Sequence, residues 1–183
     1  MSDAQPAGGP TETEIESVMR AARVLVGVSA QSFAVVEDRL TLPQLRVLVM
    51  VASRGPLRLA AVAEGLGVHP SNASRACDRL VVAGLLDRTD DPADRRQLVL
   101  RVTEAGEALV DEVMRTRRTT IDRLLSRMAP SDRAALVPAL AALADAADDG
   151  FARAVWSMGW TTGAETAPGV DAELNGGPGS PRS

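Results

Sequence analysis

The chain has 183 residues, 45% of them hydrophobic and 24% charged, with one Cys, one His, no Tyr and a formal charge of −4. These counts exclude an internal disulfide and a zinc site built from several Cys or His ligands of one chain. All 20 basic residues are Arg, which excludes a P-loop or Schiff-base lysine, and 2% aromatic content argues against stacking platforms for RNA.

Residues 1–11 are rich in Pro, Gly and polar groups and are expected to be disordered. Apolar or small residues then recur in steps of three and four at Ile15, Val18, Ala22, Leu25, Ser29, Phe33, Val36 and Leu40, which predicts a helix over about Glu12–Arg39. A second helix opens near Leu42, with Thr41 as N-cap and Pro43 in the first turn. Its run Leu45, Val47, Leu48, Val49, Met50, Val51 is apolar nearly all round and should be buried, and Gly55-Pro56 ends it. A short helix over Arg58–Gly65 and another over about Pro70–Ala83 follow, separated by Leu66-Gly67-Val68-His69. Past Gly84 the period becomes two-fold. Leu85–Arg88 and Leu98–Val102 read as strands of a β-hairpin joined by the charged connection Thr89–Gln97, which contains Pro92. Two helices close the chain. One runs over about Thr103–Met128, with Leu109, Val113, Ile121, Leu124 and Met128 on one side. The other follows Pro130 with Ser131 as N-cap, carries Leu136, Leu140, Leu143 and Ala147, and contains Pro138, which should kink or delay it. Residues 163–183 are rich in Gly and Pro and are expected to be disordered.

Helix, helix, tight glycine turn, helix and hairpin make a winged helix-turn-helix, and the fold class is mainly α (α+β). Ala63 is small where two helices cross, and Gly67 suits a turn with positive φ. Val68, Ala73, Cys77 and Leu80 give the fourth helix an inward face, with Cys77 a small core residue. Its other face carries Ser71, Asn72, Ser74, Arg75 and Arg79, side chains that hydrogen-bond to base edges and phosphates. His69 precedes this helix and is placed either to cap it or to meet a phosphate. Charge supports the same partner. Residues 41–102 hold nine Arg against six acids, although the chain as a whole is acidic. Arg95 and Arg96 fall at the hairpin tip, where arginine suits a narrow, negative minor groove.

From Leu42 to about Gly106 the chain resembles the MarR family of transcriptional regulators. The resemblance is carried by Leu42-x-x-Leu45, Arg75-x-x-Asp78-Arg79-Leu80, Gly84-Leu85-Leu86-x-Arg88, Asp91-x-x-Asp94-Arg95-Arg96 and Val102-Thr103-x-x-Gly106. It implies a homodimer whose DNA-binding lobe, residues 41–102, is flanked by dimerisation helices at 12–40 and 103–160. Ile15, Val18, Leu140, Leu143, Phe151 and Trp156 would meet the partner. Each recognition helix would enter a major groove and each wing the adjacent minor groove, with Arg96 inserted. Asp94 would hold the wing's shape, and Asp78 would pair with a wing arginine. The resemblance further implies a site for a small aromatic or anionic effector, for which Phe33, Arg46, Met50, Met114 and Arg118 are the candidates. Peroxide sensors of this family carry their reactive Cys in the first helix, and this first helix has none.

The expected function is therefore a regulator, in most family members a repressor, bound to pseudo-palindromic double-stranded operator DNA. No catalytic set, metal cluster or cofactor site is evident, so an enzyme is not expected. The alternative is a winged-helix protein-interaction module without DNA binding. No apolar run approaches the ~18 residues of a membrane span and residues 1–11 lack a signal-peptide pattern, so no membrane partner is expected and the location is expected to be cytoplasmic.

Overall fold

Thr11 opens the first helix. Its backbone N–H and its hydroxyl both donate to Glu14 Oε2 at 2.7 Å, and its hydroxyl oxygen accepts from the Glu14 N–H at 3.3 Å. This reciprocal capping box satisfies N–H groups that have no partner inside the helix. The bonds from the Thr11 backbone and side chain hold the Glu14 carboxyl below its ordinary range. Helix α1 then runs Glu12–Ala34. The computed structural model describes residues 9–91 and 97–147. The expected tails, and the candidates Asp94, Arg95, Arg96, Phe151 and Trp156, lie wholly or largely outside them.

One sequence expectation for α1 needs correction. The helix ends at Ala34 rather than near Arg39, and a turn follows so that Val36 and Leu40 drop into the core. Every residue from 12 to 27 is exposed, and the helix buries only Val28 and Ser32, with Phe33 half-buried. The apolar positions Ile15, Val18 and Leu25 share a helical face that no described residue covers.

Helix α2 (Leu42–Arg54) begins as expected, with Pro43 in its first turn. The Thr41 N–H and hydroxyl donate to Gln44 Oε1 at 2.7 and 2.8 Å. Its six buried residues, Leu45 and Val47 to Val51, make it the centre of the core. Around it pack α3 (Leu59–Leu66), α4 (Pro70–Val82) and α5 (Glu104–Ser126), contributing Val62, Ala63, Leu66, Ala73, Cys77, Leu80, Leu109, Val110 and Val113. Strands β1 (Leu86–Asp90) and β2 (Leu98–Val102) pair antiparallel, Leu86 opposite Val102 and Asp90 opposite Leu98. Their inward residues Leu86 and Leu100 join the same core. β1 starts one residue later than expected and continues to Asp90. Leu57, between α2 and α3, adds a third rung by exchanging backbone hydrogen bonds of 3.0 and 2.8 Å with Leu100.

Helix α6 (Pro130–Asp145) is capped at Ala129, not at Ser131. Proline's fixed φ suits the first helical position and its missing N–H costs nothing there, so the helix starts ahead of Ser131. Pro138 lies inside α6, which continues seven residues past it. No residue of α6 is buried, and only Leu136 is half-buried.

Candidate nucleic-acid interface

The α3–α4 turn is set by Gly67, which caps α3 at φ 62°, ψ 35°. That left-handed conformation is strained for a residue with Cβ. The Gly67 N–H donates to Glu64 O at 3.0 Å and the Val68 N–H to Ala63 O at 3.0 Å, which closes α3 and redirects the chain. Helix α4 starts immediately afterwards. His69 is its N-cap. Nδ1 accepts from the Ser71 N–H at 3.3 Å and lies 2.8 Å from Ser71 Oγ. With Nδ1 accepting, the neutral ring carries its proton on Nε2. Pro70 occupies the first helical position.

Helix α4 has one buried stripe of Ala73, Cys77 and Leu80. Burial raises the Cys77 thiol to about 11, so it is protonated at neutral pH. The opposite face presents Ser71, Asn72, Arg75, Asp78 and Arg79 to solvent, with Ser74 half-buried. Two arginines, three small uncharged hydrogen-bonding side chains and Asp78 thus line the outer face of a helix whose positive dipole end is exposed.

This helix is fastened to the hairpin. Arg88 of β1 donates through Nη2 to Asp78 Oδ1. Ser74 Oγ donates to Asp78 Oδ2 at 3.4 Å. The resemblance implied that Asp78 meets a wing arginine, and Arg88 is that residue. A second attachment holds the exit of α4 against α5. Gly84 takes φ 69° after α4, and its carbonyl accepts from Thr103 Oγ1 at 2.7 Å. Thr103 also caps α5 by accepting from the Gly106 N–H at 3.1 Å. Gly106 is required at this point, because a Cβ there would lie 2.2 Å from Leu85 O.

The five effector candidates occupy different environments. Met50 is fully buried, and a Cβ on Gly65 of α3 would come within 2.8 Å of its Cε. Arg46 is half-buried, and Nη2 donates to Leu66 O at 3.3 Å. Its Nε is buried with no hydrogen-bond partner among the described residues, and burial lowers its pKa. Phe33 and Met114 pack half-buried against the core from α1 and α5, while Arg118 is exposed.

Sequence reasoning missed two polar contacts. Arg117 is buried under α1, with Nε 3.4 Å from Ser32 Oγ. Arg58, just before α3, bonds Asp91 just past β1. No local pattern signals either, since the partners stand 85 and 33 positions apart. Among the described residues no group of three or more His, Cys, Asp or Glu could hold a metal ion, and no helix is long and apolar enough to cross a membrane.

Residues 40–97 match the family model described as MarR family. The HTH-type transcriptional repressor MdtR of Bacillus subtilis is 32% identical over 105 residues, covering 57% of this chain and 68% of that protein. Among solved structures, RV1404 from Mycobacterium tuberculosis is 41% identical, with a TM-score of 0.68 over 77% of this chain and 98% of that one. BpsR of Bordetella bronchiseptica, whose DNA binding is regulated by 6-hydroxynicotinic acid, is 26% identical, with a TM-score of 0.50 over 76% of this chain and 100% of that one.

Proposed function

Because this chain belongs to the MarR family of DNA-binding transcriptional regulators, which are not enzymes, we propose that it represses transcription by binding a pseudo-palindromic duplex as a homodimer. One observation carries this reading: α4 turns an arginine-bearing polar face to solvent while Asp78–Arg88 ties it to the hairpin. Two reading elements fixed to each other can fit adjacent grooves together.

In this reading Ser71, Asn72, Ser74, Arg75 and Arg79 meet base edges and phosphates in the major groove. His69 acts through the helix, orienting the N-terminal amides of α4 toward a phosphate. Arg95 and Arg96 enter the minor groove, and Asp94 shapes the wing around them. The exposed apolar residues support the homodimer. Ile15 and Val18 of α1 are 44% and 48% exposed, and Leu140 and Leu143 of α6 are 48% and 52% exposed. A second copy would bury them, with residues 12–40 and 103–160 as the dimerisation segments around the 41–102 lobe. Half-sites would then lie about one helical turn apart. MdtR's being a repressor supports the sign of regulation.

A small aromatic or anionic effector is part of the proposal, supported by BpsR's response to 6-hydroxynicotinic acid and by the buried Nε of Arg46, which has no hydrogen-bond partner among the described residues. Phe33, Met50, Met114 and Arg118 are the other candidates for its site. Such a ligand acts by favouring a lobe spacing that no longer fits the duplex. The location that accompanies this function is cytoplasmic.

Selection of bound duplex from a random pool, followed by gel shifts with Arg75→Ala and Arg96→Ala, tests the reading. Both variants should bind the selected duplex more weakly. Wild-type affinity in both would defeat it, and failure of the parent chain to retain any duplex would favour a protein-interaction module.

A further inference from the structure

Arg58 stands where a helix normally keeps a Ser, Thr, Asp or Asn. It is the N-cap of α3, with extended backbone at φ −71° and ψ 150°, and it makes no capping hydrogen bond. Its side chain reaches instead to the hairpin. Nε and Nη2 both donate to Asp91 Oδ2, at 3.1 and 2.8 Å. The Asp91 side chain is only 12% exposed, so this is the most buried of the chain's described ion pairs. Two backbone links flank it. The Asp91 N–H donates to Gln97 O at 2.8 Å, closing the hairpin just beyond the Asp90–Leu98 pair. Next to Arg58, Leu57 exchanges two hydrogen bonds with Leu100.

We infer that Arg58 is a positioning residue for DNA binding: it gives up the cap of α3 and clamps the tip-side end of the hairpin strands to the helix-turn-helix through Asp91. A two-stranded hairpin has little stability of its own. Asp78–Arg88 secures β1 at its middle residue, and about half of each of those side chains is in water. Arg58–Asp91 secures the distal end, where a small angular error is multiplied at the tip. The two ion pairs hold the hairpin from different helices, α4 and α3, so together they fix its direction and not only its contact. The inference that this serves DNA rests on the function proposed above. The clamp itself does not, and the two can be tested apart.

Arg58→Thr separates the roles, because threonine supplies a capping oxygen to α3 while removing the clamp. In the full-length variant, amide exchange at Asp91 and Leu100 should accelerate about tenfold or more while the α5 amides of Leu109–Val113 stay as in the parent. On a duplex selected by the parent chain, the variant should bind about tenfold more weakly. At saturating protein it should lose hydroxyl-radical protection in the minor groove but keep methylation protection in the major groove. Joining Arg58→Asp with Asp91→Arg should restore slow exchange and minor-groove protection in part. Unchanged exchange in Arg58→Thr would overturn the clamp. Accelerated exchange with parental affinity and footprint would overturn its role in DNA binding. A parent chain that selects no duplex would refute the proposed function and with it the DNA role, leaving the clamp to be judged by exchange alone.

Discussion

Arg88 of β1 donates to Asp78 of α4, so the helix that presents Arg75 and Arg79 is fixed in angle to the hairpin beside it. The two side chains are 41% and 51% exposed, and solvent screening keeps such a pair worth roughly 0–1 kcal/mol of stability. Its consequence lies in geometry. Asp78→Ala and Arg88→Ala should lower the midpoint of urea unfolding only slightly. Each should weaken duplex binding by about 1 kcal/mol or more, and the double variant should lose little beyond either single one. Strictly additive losses in gel shifts would show that the two residues act separately.

Removing positive charge from the recognition surface should separate two kinds of contact. Arg75→Ala and Arg96→Ala should each weaken operator binding by ~1–3 kcal/mol, and Arg75→Ala should also relax base preference. Titration of both variants against the selected duplex and single-base variants of it measures this. Equal discrimination by Arg75→Ala and the parent would place Arg75 on phosphate rather than on a base edge.

Gly106 and Gly67 should differ in how they fail. A Cβ at Gly106 meets Leu85 O at 2.2 Å and Val102 Cγ2 at 2.9 Å, so Gly106→Ala must push α5 away from the α4–β1 turn. The expected cost is about 3 kcal/mol of unfolding free energy. At Gly67 a Cβ finds open space, and only the left-handed backbone resists it. Gly67→Ala should cost about 1 kcal/mol. Urea denaturation of both gives the order, and a milder Gly106→Ala would mean that this junction is looser than its contacts imply.

The thiol of Cys77 makes a prediction about pH. Burial raises it from an ordinary value near 9.0 to about 11, so the folded state holds its proton where the unfolded chain releases it. Stability from this group is complete below pH 9 and is lost as pH rises through about 11. Iodoacetamide at pH 8 should label the folded protein far more slowly than the urea-unfolded chain. Comparable rates would contradict the burial of the thiol and admit a role in redox sensing.

Charge placed on the uncovered apolar faces should disrupt association. Ile15→Glu with Leu140→Asp should convert a dimer into a monomer by light scattering, and duplex affinity should fall with it because two half-sites no longer bind together. A parent chain that is already monomeric at micromolar concentration would remove the need for these faces to be covered.

Much of this was legible in the sequence because it is local. Thr41 and Pro43 mark the start of α2, Gly67 marks the α3–α4 turn, and the alternation from Leu98 to Val102 marks β2 to the residue. The family resemblance pairs Asp78 with a wing arginine without saying which, and Arg88 is the one it meets. What escaped depends on distant atoms. Arg58 resembles a poor helix cap until Asp91 is seen opposite it, and Arg117 resembles a surface arginine until Ser32 closes over it. The apolar positions of α1 before Val28 keep the helical spacing seen in the sequence, and no described residue covers them.

The most direct measurement is duplex affinity as a function of salt, made with the parent chain and its selected operator. A protein that holds DNA through arginine–phosphate contacts releases counterions, so log K should fall linearly with log salt, losing orders of magnitude between about 50 and 200 mM. Binding that stays level over that range, or that appears only with a protein ligand, would contradict a duplex held in its grooves by α4 and the wing.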